Sequence, residues 1–510
     1  MYLADCTSPR PLPRRRVITR AAVCALLLAA LVAAGTGPTG YAASRPATGA
    51  KQYYVAAGGI SGGPCSKSQP CDSAAHAVYL ANHIAYDLTP VVINVGAGTF
   101  ITHLTFPDQS YPEKSITITG ASESGTKLSG SGSGPILVTF SDAPPITVTD
   151  LTMTRGSAAA NTGGGAVHDG GNIMTLSNVL ALHNTDAVTP ETGGAVDDDG
   201  GVMTITRSTF QANSAGTPTT MGSGGAVSEE GGSLSISNSF ITGNTVESAG
   251  QGGAIAINNG QLRLEGSTVT ANSAPGSGTG GAISLESGRA TVIGSTVNGN
   301  TSGSVGGLIA RTGDATVKLG GNILLGNLGS GGSACSGGGI GDLGYNVIDG
   351  AGCSMGPKSK IAMVSSVGLL APAGNGGPTK TERIRSASAA RLMVPKGAVV
   401  AGAVFCSAMD QRGVPRQQGR ASRCDAGAYQ FAPPVISNVS PKNGTPGTPI
   451  TITGYGFDFL SLAVRGAHPG FMVSGFVKIH LIAPAIPEGR ATIKLTNADG
   501  TASAPFQMLK

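Results

Sequence analysis

Short runs in which apolar and small polar residues alternate recur along most of this chain. Met203-Thr204-Ile205-Thr206 and Leu234-Ser235-Ile236-Ser237 are typical, and a second short run such as Ser208-Thr209-Phe210 follows. Alternation with a period of two places one set of side chains on each face of a strand. The pattern therefore predicts a chain built from many short β-strands.

A Gly-Gly-small motif recurs at steps of 29, 31, 28, 28 and 26 residues, and each copy carries one set of these runs. The six copies begin at Gly164, Gly193, Gly224, Gly252, Gly280 and Gly306. An asparagine follows 20 residues after the first glycine in five copies and 21 in the sixth, at Asn184, Asn213, Asn244, Asn272, Asn300 and Asn327. A strand-bearing segment of fixed length with one variable loop is typical of a β-helix coil, because coils stack in register. Leucine-rich and propeller repeats need a helix or four strands per unit, and the pattern has neither.

The chemistry of the repeat predicts how the coils are held together. A Gly-Gly-small motif suits a sharp corner against the next coil. Asparagine side chains at equal offsets are expected to form a hydrogen-bonded ladder along the helix axis. Before the repeats, Asp72 is predicted to cap a short helix that runs to about Asn82 and covers the open end of the stack.

Residues 1–42 are predicted to be a signal peptide, followed by a linker over 43–50. Five arginines precede an apolar run from Ala21 to Ala34, and Gly40-Tyr41-Ala42 offers small residues for cleavage. An uncleaved membrane anchor is the alternative, but the run is short for a membrane span. The net charge of +5 falls to +1 without this segment. The mature chain therefore lacks the basic surface that nucleic-acid binding needs, and we expect a secreted or cell-surface monomer with no further membrane span.

Six of the eight cysteines remain after signal removal, and they form three local pairs in the sequence. An even number in an exported protein predicts disulfides, namely Cys65–Cys71, Cys335–Cys353 and Cys406–Cys424. The spacings differ from those of zinc sites.

Several stretches resemble known families. Tyr53-Tyr54-Val55-Ala56, the Cys65/Cys71 loop and Val95-Gly96-Ala97-Gly98-Thr99-Phe100 resemble the opening of pectin-lyase-like right-handed β-helix proteins. The segment from 365 to 431 resembles choice-of-anchor Q on three stretches, which are Asn375–Thr381, Asp410–Arg416 and Cys424–Tyr429. The C-terminal part resembles an IPT/TIG domain on Val435–Gly444, Ile450–Phe457 and Gly489–Asn497.

These resemblances imply an all-β chain, a right-handed parallel β-helix followed by a small Ig-like sandwich. The predicted parts are the β-helix with its N-terminal cap over 51–355, the anchor-like segment over 356–431 and the IPT/TIG domain over 432–510. The pectin-lyase-like fold hosts lyases, hydrolases, adhesins and stalks, so it does not fix the function.

Two acidic stretches, Asn184-Thr185-Asp186 and Asp197-Asp198-Asp199, resemble the motifs of polygalacturonases, and Arg412–Arg416 superficially resembles a pectate-lyase motif. Asn184 is also explained by the ladder, and the arginines by the anchor-like segment. Catalysis is uncertain. The leading hypothesis is a non-catalytic adhesion, binding or structural protein that contacts extracellular glycans or surface proteins. A polysaccharide lyase or hydrolase is the alternative, and a purely structural envelope component is a third.

One candidate metal site follows from the repeat. Asp169, Asp198 and Glu229 share the fifth position after the first glycine, so stacking places them roughly 4.8 Å apart along one corner. Oxygen ligands suit Ca²⁺, which the fold would not require. The alternative is a solvated acidic turn with outward side chains. We expect His168 and His183 to be surface or turn residues.

Overall fold

The computed structural model describes residues 49–510 except 84–88, 108–113, 161, 189–191, 248, 351, 386, 418–420, 458–459, 475–477 and 498–499. The predicted signal peptide and nearly all of the linker lie outside the described residues. Within the described part, no helix is both long enough and apolar enough to cross a membrane.

The repeats form a parallel β-solenoid, as their spacing predicted, and its strands form three sheets. Sheet A has 20 strands, sheet B has nine and sheet C has five, and every pairing between solenoid strands is parallel among the described residues. Apolar residues of sheets A and B face inward and form one continuous core.

Sheet A is formed by Lys51–Ile60, Val91–Val95, Gly98–Ile101, Ile116–Gly120, Thr126–Ser129, Ile146–Thr154, Ile173–Leu182, Val202–Thr206, Thr209–Gln211, Ser233–Ser237, Phe240–Thr242, Gly260–Glu265, Thr268–Thr270, Gly288–Ile293, Thr296–Asn298, Thr316–Gly320, Ile323–Leu325, Ile340–Gly344, Val347–Ile348 and Lys360–Ile361. Sheet B is formed by Leu104–Phe106, Leu137–Thr139, Val167–Asp169, Val196–Asp198, Val227–Glu230, Ile255–Asn258, Ile283–Leu285, Ile309–Arg311 and Cys335–Ser336. Sheet C is formed by Thr185–Asp186, Ser214–Ala215, Thr245–Val246, Ser273–Ala274 and Thr301–Ser302.

The predicted asparagine ladder is present and buried. Asn244 shows the pattern: its Oδ1 accepts from the backbone N–H and the side-chain amide of Asn213, at 3.0 and 2.9 Å. Its own amide donates to Asn272 Oδ1 at 2.9 Å and to the carbonyl of Phe210 at 3.0 Å. The ladder thus satisfies backbone groups that the bend would otherwise leave without partners.

A second ladder, which the sequence analysis did not identify, lies at the other bend of each coil. The backbone N–H of Ser208 donates to Ser239 Oγ, and that of Ser239 donates to Ser267 Oγ. The residue before the ladder residue has positive φ at both bends, as at Arg207 (φ 50) and Ala212 (φ 52). At Arg207–Ser208 and Ala212–Asn213, the bend is therefore made by one left-handed residue followed by one buried polar side chain.

The helix at the N-terminal end runs from Ala74 to Asn82 and packs against strands of the first coils. The prediction that Asp72 caps it was wrong. Ser73 is the N-cap, and its side chain accepts from the backbone N–H of His76 at 3.2 Å. A cap oxygen must lie just before the first turn, and the helix starts one residue later than predicted.

The segment after the solenoid folds back along sheet A. It contains the short helix Val364–Val367, the 3₁₀ turn Phe405–Ser407 and two small antiparallel ladders, whereas the 3₁₀ turn Ser330–Gly332 belongs to the solenoid. The two ladders pair Val394–Pro395 with Arg423–Cys424 and Val399–Val400 with Ala403–Val404. The three predicted disulfides are confirmed as Cys65–Cys71, Cys335–Cys353 and Cys406–Cys424.

The C-terminal part is a small sandwich of two four-stranded sheets, as predicted. In spatial order, the first sheet is formed by Val435–Ser440, Pro449–Tyr455, Lys478–Ile482 and Phe471–Ser474. The second is formed by Asn443–Gly444, Gly500–Met508, Gly489–Asn497 and Ser461–Val464. The sandwich has its own core, separate from that of the solenoid.

Candidate functional site

Three neighbouring strands of sheet B carry five acidic residues of the repeats. The register aligns Asp169 with Asp198 and Asp198 with Glu229, so these three residues stack as the sequence predicted. The same register places His168 beside Asp197 on the opposite face of the strands.

The stacked row of Asp169, Asp198 and Glu229 points into the solenoid, and each of the three residues is 0% exposed. The alternative of outward, solvated side chains was therefore wrong for this row. The fifth position after the first glycine faces inward, because it lies two residues after the buried valine of the same strand. The next two places in the row are occupied by Ile257 and Leu285.

Hydrogen bonds satisfy one oxygen of each carboxylate in this row. Asp169 Oδ1 accepts from Thr139 Oγ1 at 2.6 Å, Asp198 Oδ1 accepts from the N–H of Gly201 at 3.0 Å, and Glu229 Oε1 accepts from the N–H of Gly232. Asp169 Oδ2, Asp198 Oδ2 and Glu229 Oε2 are buried and have no hydrogen-bond donor among the described residues.

Burial, together with the hydrogen bond and the charge of Asp198, raises the pKa of Glu229 to about 10. Burial also raises the pKa of Asp198 to about 6, while its hydrogen bond with Glu229 opposes that change. Glu229 therefore holds its proton more strongly than Asp198, and the two carboxyl groups share one proton at neutral pH. Two carboxyl groups that share one proton in this way avoid placing two like charges side by side in the interior.

The predicted Ca²⁺ site at Asp169, Asp198 and Glu229 stays a prediction. Asp169 and Glu229 are separated by two coil spacings, or roughly 9.6 Å between backbones. An ion with Ca–O distances of about 2.3–2.6 Å would therefore bind between two neighbours of the row rather than among all three.

A second cluster lies on the outer face of the same strands and consists of His168, Asp197 and Asp199. His168 Nδ1 lies 3.2 Å from Asp197 Oδ2, and His168 Nε2 lies 3.8 Å from Asp199 Oδ2. The side chains of His168 and Asp197 are 10% and 1% exposed, whereas that of Asp199 is 46% exposed. One ligand atom from each residue lies within 4.8 Å of the other two.

The electrostatics of this outer cluster are dominated by its carboxylates. Burial lowers the pKa of His168, but the hydrogen bond and charge of Asp197, together with the charges of Asp199 and Asp169, raise it above its ordinary value overall. Burial raises the pKa of Asp197, and its hydrogen bond with His168 acts in the opposite direction.

The residues that resemble catalytic motifs have structural partners. Asn184 belongs to the ladder, and the buried Asp186 accepts from the N–H of Val188 and the hydroxyl of Thr192. These bonds fix the local bend and loop.

The arginines of the Asp410–Arg416 stretch are also buried. Arg412 forms an ion pair with Asp410, with 2.8 Å between Nη2 and Oδ2, and its guanidinium lies 3.8 Å from the ring centre of Tyr429. Arg416 donates to the carbonyl of Gly294 at 3.0 Å and lies over the ring of Phe405. The resemblance to a pectate-lyase motif therefore reflects residues with structural roles: Arg412 holds this segment together, and Arg416 attaches it to the solenoid.

Comparison with known proteins identifies the C-terminal domain. The family model of the IPT/TIG domain matches residues 434–508. This part of the chain is an IPT/TIG domain. No curated protein sequence matches the chain. The choice-of-anchor Q resemblance stays a prediction.

Among solved structures, the pectin methylesterase from Aspergillus niger has a TM-score of 0.31 at 9% identity, over 57% of this chain and 88% of that chain. The PL6 family alginate lyase AlyGC has a TM-score of 0.22 at 11% identity, over 78% of this chain and 61% of that chain. Gamma-CGTase from Alkalophilic bacillus clarkii has a TM-score of 0.15 at 24% identity, over 20% of this chain. This chain spans only 18% of the length of that enzyme.

The buried side chain of Asn497 ties the IPT/TIG domain to the chain that precedes it. The amide of Asn497 donates to the carbonyl of Ala432 at 3.3 Å and to that of Gly456 at 2.9 Å. This residue therefore connects the last strands of the domain to its entry segment.

Sequence reasoning missed the outer cluster, although the signal was present. His168, Asp197 and Ser228 share the fourth position after the first glycine, and the equal-offset rule would have placed His168 beside Asp197. The expectation that His168 is a surface or turn residue was wrong, because it lies within the strand Val167–Asp169 and is 8% exposed. His183 is exposed and has the positive φ of the bend, as expected.

Proposed function

We propose that this chain is an exported, non-catalytic protein in which the solenoid is a rigid scaffold for contacts with extracellular glycans or surface proteins. The observation that carries this proposal is the structural use of the residues that resemble polysaccharide-enzyme motifs. Asp186 and Arg412 are buried and bonded within the framework, where a soluble polymer does not reach them.

An extracellular location is supported by the three disulfides, since disulfides persist in oxidising compartments. The predicted signal peptide adds the export route. We expect the mature protein to begin near residue 43 and to be recovered outside the cytoplasmic membrane. N-terminal sequencing of protein from its host tests this, and an intact N-terminus in the cytosol would contradict it.

A glycan array combined with an assay for newly released reducing ends tests the non-catalytic role. We expect binding to an acidic or neutral polysaccharide, or to a surface protein, without any release of reducing ends or of unsaturated products. Turnover of any bound polymer would contradict the proposal. Asp186→Asn, which alters a buried structural residue, serves as a control for effects of folding.

A polysaccharide hydrolase or lyase is the second candidate, and the outer cluster favours it. The half-exposed Asp199 carboxylate lies 3.8 Å from His168 Nε2, and general acid–base catalysis needs such groups within reach of a substrate. If this candidate holds, Asp199→Asn should lower turnover by at least about 100-fold with little effect on unfolding. Equal turnover in the variant and the wild type would exclude this cluster as the catalytic site.

A further inference from the structure

A small cavity lies between the C-terminal segment and the later coils of the solenoid, and its volume is about 30 Å³. Ile293 and Gly294 line it from the solenoid, whereas Val400, Phe405 and Arg416 line it from the C-terminal segment. A water molecule needs roughly 10–15 Å³ of such volume. The cavity therefore has room for about two atoms of that size.

The cavity has a closed end and an open mouth. Arg416 is 2% exposed and lines the closed end, whereas Val404 and Met409 are 41% and 47% exposed and border the mouth. The exposed side chains of Arg263 and Glu265 also border it and form an ion pair, with 2.7 Å between Nη2 and Oε2. Because that pair is neutral, the net charge of the lining is the positive charge of Arg416.

The guanidinium of Arg416 has donors to spare. Its Nη2 donates to the carbonyl of Gly294 at 3.0 Å, and its Nη1 donates to that of Asp425 at 3.4 Å. A guanidinium has five N–H groups, so three of them have no acceptor in the part of the chain that the structure describes. Arg412, four residues earlier, is instead paired with the carboxylate of Asp410.

The buried charge of Arg416 is not matched by a paired charge. Burial lowers the pKa of Arg416, and attraction by Asp410, Asp425 and Glu265 acts in the opposite direction. None of these three carboxylates forms an ion pair with it, because each is bonded to other groups. A buried charge is costly without a partner, and an anion that reached the spare N–H groups would form charge-assisted hydrogen bonds with them.

We propose that this cavity binds the carboxylate group of a small organic acid with an apolar body, such as a short aliphatic monocarboxylate. The two oxygens of a carboxylate match both the volume of the cavity and the planar donors of a guanidinium. A tetrahedral phosphate or sulfate has more atoms than the cavity can hold. The site is independent of the proposed scaffold function.

The border of the mouth indicates what carries the carboxylate. The exposed side chains of Val404 and Met409 are apolar, so the part of the ligand outside the cavity lies against apolar surface. Removing methylene groups from water is favourable, and affinity should therefore rise from formate to butyrate. A halide ion would fill the same cavity without gaining anything from this border.

Binding is tested by calorimetry on the whole purified chain in chloride-free buffer, with formate, butyrate, butylammonium and chloride as probes. We expect one butyrate per chain, bound about 3-fold or more tightly than formate, and no binding of butylammonium. Ala403→Leu enlarges an exposed side chain that lines the cavity and should weaken butyrate binding by about 10-fold or more. Ala371→Leu makes the same change at an exposed alanine of the same segment outside the cavity and should bind butyrate like the wild type.

Two further measurements keep the result clear. Arg416→Gln removes the charge at the closed end and should abolish butyrate binding, and its thermal midpoint is measured alongside. Ala403→Leu and Ala371→Leu should have the wild-type midpoint without ligand, and butyrate should raise the midpoint only in the wild type and in Ala371→Leu. Equal butyrate affinity in Ala403→Leu and the wild type, chloride binding without butyrate binding, or no butyrate binding at high millimolar concentrations would overturn the proposal.

Discussion

Two glycines of one coil, Gly224 and Gly243, have nearly the same backbone conformation but different surroundings. Their φ values are 66° and 62°. A Cβ atom added to Gly224 would lie 1.9 Å from the carbonyl oxygen of Val227, whereas one added to Gly243 meets nothing within 4 Å. The neighbouring coils have Ala212 and Ala271 at the place of Gly243, with φ values of 52° and 56°.

We therefore predict that Gly224→Ala destabilises the protein by about 3 kcal/mol or more, because backbone of the same turn must move. Gly243→Ala should cost less than about 1 kcal/mol, since only the left-handed conformation opposes it. Urea unfolding of both variants checks this prediction. Equal losses of unfolding free energy would show that the corner at Gly224 has room for a Cβ atom.

Glu382 provides a second prediction at the residue scale. It is 3% exposed, and its Oε1 accepts from Thr270 Oγ1 and from Asn298 Nδ2, both at 3.1 Å. Burial raises its pKa to about 7, and these two hydrogen bonds oppose the change. The group belongs to the C-terminal segment, whereas both donors belong to the solenoid.

The raised pKa predicts how stability depends on pH. Below about pH 4.5 the carboxyl group is protonated in both states. Between about pH 4.5 and 7 the unfolded chain releases the proton while the folded chain keeps it, so stability falls as pH rises, by up to about 3 kcal/mol. Above pH 7 this loss is complete. Glu382→Gln should lack this part of the pH dependence, and identical pH profiles of its unfolding free energy and that of the wild type would contradict the assignment.

At the scale of the repeated element, the two ladders explain why coils of unequal total length stack. The side chain of Asn244 accepts two hydrogen bonds and donates two. These four bonds link three coils, and all of them are buried. The loops that vary in length lie outside this ladder. The strand segment is therefore fixed by hydrogen bonding at both bends and by the side chains between them.

Asn244→Ala should destabilise the protein by about 3 kcal/mol, because it leaves several buried donors and acceptors without partners. Ser235→Ala, a half-buried change on the outer side of sheet A in the same coil, is the control and should change stability by less than about 0.5 kcal/mol. Denaturant unfolding compares the stability of the two variants. A loss of stability in Asn244→Ala as small as that in Ser235→Ala would mean that the ladder contributes little to the stability of the fold.

At the scale of the whole molecule, buried polar groups attach the C-terminal segment to the solenoid. Gln411 bonds with Thr268, the N–H of Ala428 donates to Thr296 Oγ1, and Arg416 bonds with Gly294. This segment covers the flank of the later coils, so its attachment determines which part of sheet A is open to solvent.

Arg412→Ala should loosen this segment internally, since it leaves Asp410 buried without its ion-pair partner and removes the bonds to the carbonyls of Asn375 and Gln430, at a cost of about 3–5 kcal/mol. We expect faster limited proteolysis within residues 365–431 while the solenoid repeats stay resistant. Arg385→Ala, which removes an exposed arginine from the same segment, should leave the cleavage rate unchanged. Equal cleavage of the two variants would show that the ion pair does not hold the segment.

The sequence by itself determined the coil, the asparagine ladder, the disulfide pairs and the sandwich. Each of these depends on spacing along the chain, and a solenoid keeps residues of equal offset together. Equal offsets also placed Asp169, Asp198 and Glu229 in one row. Only the tertiary structure decided which face of the strands that row occupies and how deeply it is buried. The corner before each strand sets which of its residues face inward. It likewise decided that His168 faces Asp197 and Asp199, and that Arg416 is buried against a coil 122 residues earlier, a contact that no local pattern encodes.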